Sequence, residues 1–147
     1  MNISVIGGSK CSVKTAKKAE ELGQLIAENK WILICGGGSG VMEAACKGAY
    51  KAGGVTVGLL PEITDKYANK YLTVKIPMGI GYARNIFVVR ASDYIIAVDG
   101  KTGTLSEIAF ALNEGKKVYG IETWDIPGVI KVLSPQEAVE RVKVDVK

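Results

Sequence analysis

The chain has 147 residues, 48% of them apolar and 23% charged, with a formal net charge of +4. That length suits one domain over residues 1–147 with a continuous core, and no apolar run approaches the roughly 18 residues of a membrane span, so a cytoplasmic protein away from membranes is expected. The absence of histidine excludes a Ser-His-Asp triad and a histidine-based metal site, while the three cysteines, Cys11, Cys35 and Cys46, have neither metal-ligand spacing nor an even count and read as buried thiols.

In chain order, the first strand-like run is Ile3–Ile6, ending at Gly7-Gly8-Ser9. Ser12 then caps a helix in which Val13, Ala16, Ala19, Leu22 and Ile26 recur at helical spacing. Trp31–Cys35 is the second strand; Gly36-Gly37-Gly38-Ser39-Gly40 follows, then at once a helix through Val41–Ala45 that Gly53-Gly54 stops. Val55–Leu60 is a third strand, terminated by Pro61. The polar stretch 62–72 reads as irregular, most mobile around Tyr67–Tyr71, and Thr73–Ile76 as a short strand. Met78-Gly79-Ile80-Gly81 opens a helix that carries Arg84 and ends near Ser92. Asp93–Val98 is another strand, and the turn Asp99-Gly100-Lys101-Thr102-Gly103 leads to a helix from Thr104 to Glu114, closed by Gly115. Lys117–Ile121 reads as the last strand. Ser134-Pro135-Gln136-Glu137 combines a cap, a proline at the first helical position and a glutamate at the third, so a C-terminal helix begins there. The alternation predicts an α/β fold, a Rossmann-like doubly wound parallel sheet.

In such a sheet ligands bind beyond the carboxyl ends of the strands, where the informative turns of this chain gather. Gly7, Gly8 and Ser9, then Gly36, Gly37, Gly38, Ser39 and Gly40, then Gly100, Lys101, Thr102, Gly103 and Thr104 are candidate phosphate-binding residues, because glycine permits close approach and a helix start offers unpaired N–H groups. Tight strand-to-helix reversal also demands glycine. The spacing of Gly36, Gly38 and Gly40 is not the dinucleotide fingerprint, and Ile95 stands where a P-loop ending in Gly100-Lys101-Thr102 needs glycine, so an ATPase is excluded. Lys101 is either a ligand-facing cation or a solvent-exposed turn residue. Scattered lysines alternating with acids predict no nucleic-acid partner.

Arg84 and Glu107 are the candidate catalytic pair: an arginine fork clamps phosphate, and a glutamate beside a ribose stabilises the charge that develops as a glycosidic bond breaks. The competing reading is structural. Thr104-Leu105-Ser106-Glu107 is also a capping box, in which Glu107 satisfies its own helix and Arg84 is its ion-pair partner.

Taken in order, Gly36 to Ala45, Arg84-Asn85 and Gly103-Thr104-Leu105-Ser106-Glu107 resemble the superfamily once labelled lysine decarboxylase-like, which includes the lonely-guy cytokinin riboside monophosphate phosphoribohydrolases and the molybdenum cofactor carrier proteins. The resemblance spans nearly the whole chain and is stronger to the compact, carrier-like branch. In the phosphoribohydrolases an Arg-Lys pair precedes Pro-Gly-Gly-x-Gly-Thr-x-x-Glu, and Arg84 and Glu107 match its arginine and final glutamate. Asp99 replaces the proline, Lys101 the second glycine and Asn85 the lysine, which implies a ligand that sits differently or is a different anion.

The resemblance therefore implies one of two functions. In the first, the chain hydrolyses the N-glycosidic bond of a nucleoside 5′-monophosphate, with Arg84 orienting the substrate, Glu107 stabilising the ribosyl cation and no metal or redox cofactor required. In the second, it is a non-catalytic carrier of a nucleotide or molybdopterin-type ligand, with Lys101 neutralising the anion. It also implies a homo-oligomer, dimer or tetramer, for which the helix bearing Ile80, Ile86, Phe87 and Val88 offers apolar surface.

Overall fold

The computed structural model describes residues 1–147. Its strands are β1 (Asn2–Gly7), β2 (Ile32–Cys35), β3 (Thr56–Leu60), β4 (Val74–Pro77), β5 (Tyr94–Val98), β6 (Val118–Ile121) and β7 (Val129–Lys131). Its helices are α1 (Val13–Glu28), α2 (Val41–Lys51), α3 (Arg84–Arg90), α4 (Thr102–Asn113) and α5 (Pro135–Val146). The strands form one seven-stranded sheet in the order β4-β3-β2-β1-β5-β6-β7, with every pairing parallel. The chain thus winds outward from β1 to β4, returns to place β5 on the other side of β1, and winds outward again. That reversal opens a crevice between the carboxyl ends of β1 and β5.

Alternation along each strand feeds two cores. Ile3, Val5, Leu33, Cys35, Ile96 and Val98 pack with α1, α2 and α5, whereas Ile6, Ile34, Ile95, Ala97 and Val118 pack with Val88 and Val89 of α3 and with Ile108 and Ala111 of α4. The residue pair Gly23 and Gly48 lets α1 and α2 touch backbone to backbone, since a Cβ on Gly23 would collide with the Ala45 carbonyl and one on Gly48 with the Glu20 carbonyl. The caps foreseen from sequence form: Thr15 N donates to Ser12 Oγ at 3.1 Å, and Glu137 N to Ser134 Oγ at 3.1 Å, while Glu137 accepts from Leu133 N at 2.8 Å. No helix is long and apolar enough to cross a membrane.

Several expectations are corrected. Lys117–Ile121 does not supply the last strand: β7 follows it, a three-residue edge strand too short to carry a period-2 signal. The helix bearing Arg84 is shorter than expected, with Gly81–Ala83 as a 3-10 turn before α3. Cys35 and Cys46 are buried with their sulfurs 3.5 Å apart, but Cys11 is only half-buried. Within the irregular stretch around Tyr67–Tyr71, Asn69 N donates to the Gly37 carbonyl at 2.9 Å, its Nδ2 to the Gly38 carbonyl at 3.0 Å, and Tyr71 lies against Tyr50 with ring centroids 6.0 Å apart.

Candidate functional site

The crevice between β1 and β5 holds a cavity of about 580 Å³, within the range of small-molecule sites. Its walls come from the end of β1 and the turn after it (Val5 to Lys10), from Gly36 after β2, from Tyr82, Arg84 and Asn85, and from the first two turns of α4 with Lys101 before them. Met42 of α2 completes it. The topology therefore brings together Gly7, Gly8, Ser9, Gly36, Arg84, Lys101, Thr102, Gly103, Thr104 and Glu107, drawn from distant parts of the chain.

The start of α4 decides between the readings of Glu107. Lys101, not Thr104, is the N-cap residue, and it makes no side-chain capping bond. Thr104 lies inside the first turn, and Ser106 Oγ bonds the Gly103 carbonyl at 2.6 Å. The capping box is thus not formed, because the helix starts three residues earlier than its Thr-x-x-Glu pattern implies. The amides of Thr102, Gly103 and Thr104 donate to no protein acceptor, as expected of a helix start, and carry the positive end of the helix dipole at the cavity wall. Lys10 and Lys101, both exposed, add two cations to the same walls.

Glu107 is 8% exposed, lines the cavity, and has no ion-pair or hydrogen-bond partner. Burial pushes its pKa up to about 8, an effect that the positive charge of Arg84 opposes without reversing. Arg84 is occupied elsewhere. Its Nη1 donates to the carbonyls of Gly36 and, at 2.7 Å, of Leu59, and its Nε donates to Asn85 Oδ1 at 2.7 Å. Asn85 in turn donates to Ser106 Oγ at 3.3 Å. The Arg84–Glu107 ion pair is absent, and Arg84 is a fixed charge braced on the ends of β2 and β3.

The second glycine turn serves differently from the first. Gly37, Gly38, Ser39 and Gly40 do not line the cavity, and neither does Gly100. Gly37 packs against Leu60 and Leu72, and Gly38 against Met42. Ser39 Oγ donates to the Ser9 carbonyl at 2.8 Å, and Val41 N, just after Gly40, donates to the Gly8 carbonyl at 3.0 Å. This turn is the bed on which Gly8-Ser9 rests. Lys10, Asn85 and Ser106 line the site without having been foreseen. The lysine lay in no motif, Ser106 fell at an unassigned position inside one, and Asn85 read only as a departure from an Arg-Lys pair.

A model of the SLOG cluster4 family matches residues 1–145. The chain belongs to that family. It is 43% identical over 140 residues to an uncharacterized protein of Archaeoglobus fulgidus, covering 95% of this chain and 92% of the relative. It is similar in structure to the molybdenum cofactor binding protein of Rippkaea orientalis, with a TM-score of 0.91, 34% identity, and coverage of 99% of this chain and 96% of that one. It is also 29% identical over 119 residues, 72% of its length, to the cytokinin riboside 5′-monophosphate phosphoribohydrolase of Mycobacterium tuberculosis, of which the match spans 62%. Membership of the SLOG family and these two kinds of relative bear out the superfamily that the motifs resemble and the Rossmann-like fold expected of it.

Proposed function

We propose that this SLOG-family chain binds a phosphorylated, nucleotide-type ligand in the crevice between β1 and β5, and that it holds the ligand as a carrier. A phosphorylated pterin of the molybdenum-cofactor type is the cargo that fits. The observation that carries the reading is the set of unpaired amides at Thr102, Gly103 and Thr104, which face a cavity also lined by Ser9, Lys10 and Lys101. Such a cradle offers directed N–H donors, a hydroxyl and two cations to a phosphate, while the rest of the cavity takes the heterocycle. The molybdenum cofactor binding protein that matches along nearly its whole length supports the same cargo.

Two features favour holding over cleaving. Arg84 has Nε committed to Asn85 and Nη1 to Gly36 and Leu59, so it offers a ligand its charge and Nη2 rather than a free two-nitrogen fork. Glu107, with its pKa pushed up to about 8, is mostly protonated at neutral pH, and a neutral acid does little for a developing ribosyl cation.

The second reading is hydrolysis of a nucleoside 5′-monophosphate. It is favoured by the placement of Arg84 and Glu107 on one cavity and by the perturbed carboxyl itself, since shifted titratable groups concentrate at catalytic sites. Neither reading requires a metal or redox cofactor. Homo-oligomer formation belongs to both, through the outer side of α3, where Phe87 is 44% exposed while Val88 is buried.

Incubating the wild type and Glu107→Gln with a panel of nucleoside 5′-monophosphates tests the choice. The carrier reading expects binding with no free base from either protein. Base release that Glu107→Gln abolishes would establish the hydrolase.

A further inference from the structure

Between β6 and β7 the chain crosses the turn that precedes α4. Asp99 and Gly100 both lie in the left-handed region, at φ 52° and 100°, and this pair swings the chain from β5 into the helix. Asp99 is the costlier of the two, because its side chain disfavours a conformation that glycine adopts freely. Three bonds from the β6 side hold the turn. Asp99 N donates to the Ile121 carbonyl at 3.1 Å, Thr123 Oγ1 donates to the Asp99 carbonyl at 2.6 Å, and Trp124 Nε1 donates at 2.9 Å to the Lys101 carbonyl, as a second donor beside Leu105 N of α4, also at 2.9 Å. The crossing segment is itself anchored, since Lys18 of α1 reaches Glu122 at 2.5 Å.

The planarity of the peptide makes these bonds consequential. In a trans peptide the C=O and the following N–H point in opposite directions. A donor that fixes the Asp99 carbonyl therefore fixes the Gly100 N–H, and one that fixes the Lys101 carbonyl fixes the Thr102 N–H. Neither amide has an acceptor in the protein, and Thr102 lines the cavity. Trp124 is 38% exposed, so its ring adds little to the core, and its one directed contact is the bond to Lys101.

We propose that Thr123 and Trp124 are positioning residues for the anion cradle: by holding the carbonyls of Asp99 and Lys101 outward, they fix the turn that leads into α4 and aim the Thr102 amide at a bound phosphate. The proposal rests on the phosphate-binding reading for the value of that amide to a ligand, but its orientation in the free protein is independent of it. It assigns a ligand-binding role to a segment that touches no ligand. A phosphate pulling on the Thr102 amide strengthens the Lys101 carbonyl as an acceptor, so occupancy is transmitted to the Trp124 indole.

The test uses the full chain. Trp124→Phe keeps a ring and removes the N–H; Thr123→Val removes the hydroxyl, and Thr123→Ser restores it. In amide NMR spectra of the ligand-free protein, Trp124→Phe should move the Thr102 resonance and Thr123→Val the Gly100 resonance, with Thr123→Ser close to wild type. Binding is then titrated with adenosine 5′-monophosphate and with inorganic phosphate. Trp124→Phe and Thr123→Val should each weaken the wild-type affinity about fivefold, the scale of one hydrogen bond, while the melting temperature stays within a few degrees. In Trp31→Phe, which leaves Trp124 as the sole tryptophan, saturation with ligand should shift the emission.

Unmoved amide resonances in both variants would overturn the positioning role, whether or not any probe binds. So would wild-type affinity in both variants when the wild type does bind. Failure of the wild type to bind either probe, with the amide shifts as expected, would leave the positioning intact and count against the phosphate-binding reading alone.

Discussion

Arg84 Nη1 donates to the carbonyl of Gly36, and a Cβ on Gly36 would fall onto the same guanidinium. The absence of a side chain at Gly36 is what allows Arg84 to brace the ends of β2 and β3 beneath the cavity. Gly36→Ala should therefore displace Arg84 and destabilise the fold by about 1–3 kcal/mol, the usual range for overpacking. In the Arg84→Ala background the same change should cost much less. Denaturant unfolding of the two single variants and the double variant measures this coupling, and simple additivity would show that the clash is relieved elsewhere.

Glu107 supplies a pH signature. Its folded-state pKa, about 8, lies above its ordinary 4.5, so the folded protein holds this proton more tightly than the unfolded chain does. The resulting stabilisation is fully present below about 4.5 and is lost as pH rises through about 8. Within that window the loss reaches up to about 1.4 kcal/mol per pH unit. Glu107→Gln should flatten this slope and be the more stable protein on the alkaline side. Urea midpoints measured from acid to alkaline pH check it, and parallel curves for the two proteins would contradict the buried, unpaired carboxyl.

Lys101 stands where the phosphoribohydrolase motif it resembles has a glycine, and it is an exposed residue of the cavity lining. Lys101→Ala should weaken binding of a phosphorylated ligand several-fold at low salt, with less effect at high salt, where screening already weakens an exposed charge. Calorimetric titration at two ionic strengths measures it. An affinity that is unchanged at both would return Lys101 to the role of a solvated turn residue.

At the opposite end of the chain, Ser134→Ala removes the acceptor for Glu137 N. A cost of about 1 kcal/mol in thermal or chemical unfolding is expected, with ligand binding unaffected because α5 is remote from the cavity.

The elements that set the site were largely legible, because glycines at strand ends and caps at helix starts are local signals. The cavity gathers most of the expected residues for that reason. What escaped was non-local. Asn69 sits in a polar stretch without periodicity, and only the packed structure shows it holding Gly37 and Gly38. The Thr-x-x-Glu pattern at Thr104 mimicked a cap because pattern alone cannot say that the turn from Asp99 starts the helix at Thr102. The five glycine-turn residues that face away from the cavity are chemically indistinguishable in sequence from those that face it. The partition follows from Ser39 and Val41 binding back onto Ser9 and Gly8, a relation between two distant turns.

The central claim is that this cavity retains a phosphorylated ligand without cleaving it. Native mass spectrometry of the protein purified from cells that make molybdenum cofactor tests it most directly. The account predicts a bound species with the mass of a phosphorylated pterin, depleted in Lys101→Ala and intact after prolonged incubation. Bare protein that takes up no phosphorylated pterin or nucleotide on titration, or one that releases free base, would contradict it.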